Sequence, residues 1–120
     1  MREFLNITKA LSDEMRVRAL LALRDGELCL CQIIELLDLA PATVSKHMDL
    51  LVQAGLVERR KDGRWCYFRL ASGPARPVVR RALEWALGVL ANDPAIRRDL
   101  GVLKKVRCMD LRELSACYKN

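Results

Sequence analysis

Pro41-Ala-Thr-Val-Ser-Lys-His-Met-Asp-Leu-Leu-Val-Gln-Ala-Gly55 is the stretch whose reading decides the fold. Val44, Met48, Leu51 and Val52 fall at i, i+4, i+7 and i+8, the spacing of one apolar stripe on a helix. Pro41 suits the first turn, where its missing N–H costs nothing. Gly55 suits the left-handed position just past the last turn. Between the apolar positions lie Thr43, Ser45, Lys46, His47 and Gln53, side chains that hydrogen-bond to base edges and phosphates. The pattern predicts a short helix with one face in a core and the other turned towards nucleic acid.

Upstream, Phe4, Ile7 and Leu11 predict a first helix. Ser12-Asp13-Glu14 supplies a helix start with acids in the first turn. Met15 to Leu23 then forms a second helix, closed by Asp25-Gly26. Glu27 to Leu37 reads as a third helix, with Leu30, Ile33, Ile34 and Leu37 at helical spacing. Asp38-Leu39-Ala40 is a short turn into Pro41. Two helices joined so tightly, the second opening with polar side chains, make a helix-turn-helix.

Downstream of Gly55 the period becomes two. Val57 to Lys61 and Arg64 to Leu70 flank Asp62-Gly63, a two-residue hairpin signal. Cys66, Phe68 and Leu70 share one face; Trp65, Tyr67 and Arg69 share the other. Arg59, Arg60, Lys61 and Arg64 crowd the turn. That charge suits a wing that neutralises phosphates or enters the minor groove, or it blunts a solvated strand edge. Ser72 to Pro77 reads as a linker. Val78 to Leu90 is apolar nearly all round, more than a small domain covers, which predicts a second copy of the chain against it. A two-fold dimer would place two recognition helices about one DNA turn apart. Asn92-Asp93-Pro94 breaks that helix; Ile96 to Val106 forms another, and Cys108 to Asn120 a short helix or frayed tail. The expected fold is mainly α with a small β-hairpin: a winged helix-turn-helix domain over 1–92, dimeric through its terminal helices, with a C-terminal helical extension over 93–120.

Twenty-one basic against fifteen acidic residues give a net charge of +6, which suits a polyanionic partner. No apolar run approaches the ~18 residues of a membrane span, and no signal-peptide core follows the N-terminus. The expectation is a cytoplasmic protein without membrane contact. Five cysteines, an odd number, do not read as a disulfide framework in that compartment. They are core residues, metal ligands or redox sensors. No anion-binding loop surrounds any of them, so no thiol enzyme is expected.

Three motifs resemble the ArsR-type winged-helix repressors. Glu27-Leu-Cys-Leu-Cys31 is similar to that family's cysteine pair, and Thr43-Val-Ser-Lys-His-Met-Asp-Leu-Leu51 to its recognition helix. Gly55-Leu-Val57, Arg59-Arg60 and Gly63-Arg-Trp-Cys-Tyr-Phe-Arg-Leu70 resemble its wing. The likeness covers roughly residues 11–70 and extends more weakly to 90. It implies a dimeric transcriptional repressor, released from double-stranded operator DNA when an effector binds. Thr43, Ser45, Lys46 and His47 would read the major groove, and Arg59, Arg60, Lys61 and Arg64 would hold phosphates. Cys29 and Cys31 would bind As(III) or Sb(III). The family's arsenic motif has a third cysteine where this chain has Ile34; Cys108 or Cys117, reaching across the dimer, is a candidate third ligand, or neither has an effector role. The family's zinc site uses histidines and acids, whereas the single histidine here, His47, lies on the recognition helix. Its cadmium and lead version adds N-terminal cysteines, and none precedes Cys29.

Soft trivalent ions favour thiolates. Residues i and i+2 of a helix lie about 200° apart, so Cys29 and Cys31 within a helix over 27–37 would meet one ion only by unwinding a turn. That distortion is the expected switch. Other readings use the same residues: a repressor whose cysteines sense thiol oxidation, sulfide or another thiophilic metal, and a winged helix that binds protein instead of DNA. Cys66 is expected in the core.

Overall fold

The computed structural model describes residues 1–72 and 76–116; residues 73–75, in the middle of the expected linker, and Cys117 lie outside the described residues. The chain runs α1 (Arg2–Ala10), α2 (Glu14–Ala22), a 3-10 turn (Leu23–Asp25), β1 (Leu28–Cys29), α3 (Leu30–Leu37), α4 (Pro41–Gln53), β2 (Val57–Asp62), β3 (Trp65–Leu70), α5 (Pro77–Leu90), α6 (Pro94–Arg107) and α7 (Leu111–Ala116). This is the winged helix-turn-helix that the sequence predicts, mostly helical with a small antiparallel sheet.

Local chemistry explains the boundaries. Asp13 caps α2: its carboxylate accepts from the N–H of Met15 at 2.8 Å and of Arg16 at 3.2 Å. Asp38 closes α3 in the left-handed region (φ 54°), and Pro41 opens α4 at its first turn. Gly55 ends the recognition segment at φ 80°, where a Cβ would also lie 3.3 Å from Arg76 Nη1. The backbone therefore selects glycine there, whereas the exposed Arg76 side chain can give way.

The third helix is shorter than predicted, and the hairpin has an unforeseen partner. Gly26, at φ 136°, turns the chain outward, and Leu28–Cys29 runs extended beside β3. Leu28 pairs with Phe68 and Cys29 with Tyr67. The helix starts only at Leu30, where Gln32 Oε1 accepts from the Cys29 N–H at 2.8 Å. Two residues of backbone thus satisfy an edge of β3 that would otherwise be bare. The sheet order is β1-β3-β2. Between β2 and β3 the register runs from Val57↔Leu70 to Asp62↔Trp65, so the two-residue loop is Gly63-Arg64, one position later than Asp-Gly suggested. Gly63 takes φ 61° there, as a primed hairpin turn requires of its first central residue.

One core joins α1 to α6 and the sheet. Val44, Met48 and Leu51 of the α4 stripe are fully buried beside Leu20, Leu28, Ile33 and Phe68. Helix α6 adds Ile96 and Leu103 to this core. It is pinned to α2 by a two-pronged pair in which Arg18 Nε and Nη2 each donate to the buried Asp99 carboxylate at 2.9 Å. A second, smaller cluster contains Cys29, Cys31 and Leu114, with Leu111, Trp65 and Tyr67 packed against it. On α5, Val79, Leu83 and Ala86 face inward, whereas Trp85 and Val89 are 65% exposed; Phe4 and Leu5 of α1 are also bare. Among the described residues no helix is long and apolar enough to cross a membrane.

Candidate nucleic-acid interface and thiol site

Helix α4 carries the candidate DNA-contacting residues of the sequence analysis. Thr43 and Lys46 are exposed and Ser45 and His47 half-buried, around the part of α4 that Val44, Met48 and Leu51 do not commit to the core. The surface is braced from α2: Arg16 Nη1 lies 3.2 Å from His47 Nδ1.

The four cations of the wing divide into two pairs. Arg59 is ion-paired with Asp49, tying the hairpin to α4, and its guanidinium lies over the Phe68 ring. Arg60 donates twice to Glu27, through Nη2 at 2.6 Å and Nε at 3.2 Å, and stacks 4.5 Å over Tyr67. The hydrogen bond from Arg60 holds the Glu27 carboxyl below its ordinary value. Arg64, by contrast, only lies over the Trp65 ring, and among the described residues Lys61 has no ion pair. The chain itself thus occupies Arg59 and Arg60 and leaves Lys61 and Arg64 open at the tip.

Cys29 and Cys31 lie together, in a geometry different from the one expected. Cys29 is the residue before the helix, with extended backbone (φ −75°, ψ 151°), and Cys31 is in the first turn. Both pack in the same small buried cluster, and because Cys29 already stands outside the helix no turn need unwind to bring them together. The anticipated unwinding switch is therefore overturned, and the cause is β1: pairing with β3 takes Cys29 out of the helix. The Cys31 thiol hydrogen-bonding to its sulfur is the main influence lowering the Cys29 pKa to about 6. Burial opposes the shift, and the backbone N–H groups of Cys31, Cys66 and Leu30 assist it. Holding its proton against that sulfur, and buried besides, Cys31 is pushed up. Both residues are almost wholly buried, and Leu114 of α7 is buried with them.

The other cysteines lie apart from this pair. Cys66 packs its side chain partly against the main core, as expected, and burial raises its thiol pKa. Cys108 ends α6 and is exposed. Among the described residues no group of three or more His, Cys, Asp or Glu side chains is placed to hold a metal ion. They offer a soft ion two sulfurs.

Sequence reasoning missed β1, the brace from Arg16, the Glu27–Arg60 clamp and the cover from α7. Only β1 left a local signal: the alternation Leu28-Cys-Leu-Cys31 is the period of a strand as well as part of a helical stripe. The remaining contacts are long-range and leave no mark at a single position.

The model of the family described as bacterial regulatory protein, arsR family, matches residues 13–59. The arsenic resistance transcriptional regulator ArsR1 of Pseudomonas putida is 40% identical over 74 residues, 58% of each chain. A cadmium resistance transcriptional regulatory protein, the CadC homolog of Staphylococcus aureus, is 35% identical over 63% of this chain and 64% of its own. The match thus spans less than two-thirds of either curated relative. An HTH-type transcriptional regulator of Methanocaldococcus jannaschii is 32% identical over 62% of this chain and 84% of its own. Among solved structures, the homodimeric winged helix-turn-helix DNA-binding domain of Mycobacterium bovis superposes with a TM-score of 0.62. It is 27% identical, over 77% of this chain and 81% of that one.

Proposed function

Because the chain belongs to the arsR family of bacterial regulatory proteins, we propose that it is a homodimeric transcriptional repressor that leaves its operator when As(III) or Sb(III) engages Cys29 and Cys31. Helix α4 enters the major groove with Thr43, Ser45, Lys46 and His47, and the wing tip follows the phosphates with Lys61 and Arg64. Arg59 and Arg60 join them by exchanging Asp49 and Glu27 for DNA. The bare apolar residues of α1 and α5 (Phe4, Leu5, Trp85 and Val89) form the contact between two copies. A neighbour of the same fold is homodimeric, which supports a contact between two copies but does not say through which helices.

The single observation that carries the effector assignment is the meeting of two sulfurs, one with a depressed pKa, against the wing strand. A soft trivalent ion suits that donor set. Cys29 and Cys31 would hold it through sulfur. Cys108 and Cys117 are the candidates for a third sulfur, the first exposed and the second outside the described residues. Any rearrangement at Cys29 acts on three parts of the DNA surface. Its backbone pairs with Tyr67 of β3, it adjoins the start of α3 that leads into α4, and Glu27 two residues earlier holds Arg60.

The experiment measures operator affinity with and without arsenite for the wild type and for Cys29→Ser/Cys31→Ser. Wild type should lose at least tenfold in affinity with arsenite, and the double variant nothing. A double variant that still releases DNA like wild type removes the pair as sensor. The depressed Cys29 favours one second reading, release upon thiol oxidation or sulfide; mass shifts under mild oxidant, without arsenite binding, would select it.

A further inference from the structure

His47 is the only histidine in the chain, and its ring faces an arginine that leaves it little choice of tautomer. Arg16 is locked at the junction of α1 and α2, with its side chain 11% exposed. Its Nε donates to the Ala10 carbonyl at 2.9 Å and its Nη2 to the Lys9 carbonyl at 3.1 Å. Those carbonyls belong to the last turn of α1, where helix carbonyls lack partners within the helix. The Asp13 carboxylate stands 4.0 Å from the same guanidinium. Nη1, the remaining arm, meets His47 Nδ1 at 3.2 Å.

A guanidinium can only donate. Nδ1 must therefore accept, and a neutral imidazole then carries its single proton on Nε2. Among the described residues nothing hydrogen-bonds Nε2. We infer that Arg16 acts as a positioning residue for DNA recognition, fixing His47 as the Nε2–H tautomer so that this point of α4 meets DNA as a donor only. The partner it selects is an acceptor: guanine O6 or N7, adenine N7, thymine O4, or a phosphate oxygen. The exocyclic amines of adenine and cytosine are excluded, because the ring has no acceptor left to offer them. Without Arg16 the ring could exchange tautomers and read either class.

This inference deepens the proposed DNA-binding role, but its first half is tested without DNA. Full-length protein labelled with ring-15N histidine gives one pair of ring-nitrogen signals in mildly alkaline buffer. The expected spectrum has an unprotonated Nδ1 and a protonated Nε2 in wild type, drifting to a tautomer average in Arg16→Met. A protonated Nδ1 in wild type overturns the inference even if Arg16→Met fails to fold, and an unchanged spectrum in a folded Arg16→Met overturns the role of Arg16. The second half uses an operator selected from random-sequence DNA. A 7-deazapurine removes a base N7, an O4- or O6-lacking base analogue removes the carbonyl, and a methylphosphonate removes a charged phosphate oxygen. One such change should cost wild type about five- to tenfold, the worth of one hydrogen bond, and cost His47→Ala nothing further. The position that does so tells base from phosphate. If no change depends on His47, its donor role at DNA is overturned. Failure to select any DNA overturns the proposed function itself, while the tautomer result stands apart.

Discussion

Strand β3 joins two regions built on opposite principles. At its middle, Tyr67 pairs with Cys29 and packs with Trp65 against a dry cluster of two thiols and Leu114. At its start lies the wing tip, where Lys61 and Arg64 are exposed and, among the described residues, have no ion pair. Burial in the first region shields soft donors that water would leave open to chance oxidation, and sharpens the difference between a protonated and an ionised sulfur. Exposure in the second keeps charge available to a polyanion, where its worth depends on salt. The proposed sensor would need both, and β3 connects them: Cys29 pairs with its Tyr67, and the wing tip leads into its first residue. The comparison can be broken at either end.

The largest effect is expected at the covered end. Leu114→Ala removes the main side chain of α7 over the thiols; truncating a buried leucine costs about 2 kcal/mol or more. A six-residue helix has no independent stability to resist that loss, so the cover should open locally and not with the whole fold. Alkylation of Cys29, followed by mass spectrometry, should quicken by roughly tenfold or more, as a shift of that size in a local equilibrium implies. Exposed Cys108 provides the internal control and should react at an unchanged rate. Equal rates for Cys29 in both proteins would mean that α7 does not guard the pair.

A smaller effect is expected at the open end. Lys61→Ala/Arg64→Ala should weaken operator binding at low salt and reduce the dependence of log affinity on log salt by about one for each phosphate left without its cation. The stability of the free protein should fall by no more than about 1 kcal/mol, because among the described residues neither side chain has an ion pair to lose and Arg64 gives up only its exposed contact with Trp65. An unchanged salt slope would take the tip off the DNA.

What the sequence revealed, and what it hid, follows the same division. The stripe Val44, Met48, Leu51, the cap at Asp13 and the glycine at 55 are local signals, and each took its predicted place. The tip cations were legible because charge at a turn needs no tertiary partner to be recognised. The thiol end was legible in identity but not in geometry. Leu28-Cys-Leu-Cys31 fits a helix and a strand equally, and what decided between them was a free edge on β3, some forty residues away in the chain. Arg16 looked like a generic surface cation and Arg60 like one of four phosphate contacts of the wing; only the fold sets the first against His47 and the second against Glu27.

The smallest expected effect probes the link between the two regions. Glu27 precedes β1, and its partner Arg60 lies on the wing, so under the proposed function this clamp is where a change at the thiols would first touch a charge of the wing. Arg60 keeps the Glu27 carboxyl below its ordinary value near 4.5. A carboxyl depressed in the folded state contributes stability that is fully present above the unfolded value and is lost as pH falls through the folded one. The melting temperature of wild type should therefore decline with acid below about pH 4.5 more steeply than that of Glu27→Gln, by a few degrees at most, since both partners are solvent-exposed. At neutral pH the same variant frees Arg60 for phosphate, so its operator binding should gain up to one in salt slope, opposite in sign to the tip variant. Arsenite release should persist in Glu27→Gln, with a smaller change in affinity, if the clamp transmits part of the signal and the β1–β3 pairing the rest. An acid limb and a salt slope both identical to wild type would mean that the clamp contributes nothing in solution, and would leave strand pairing as the sole connection between the thiols and the wing.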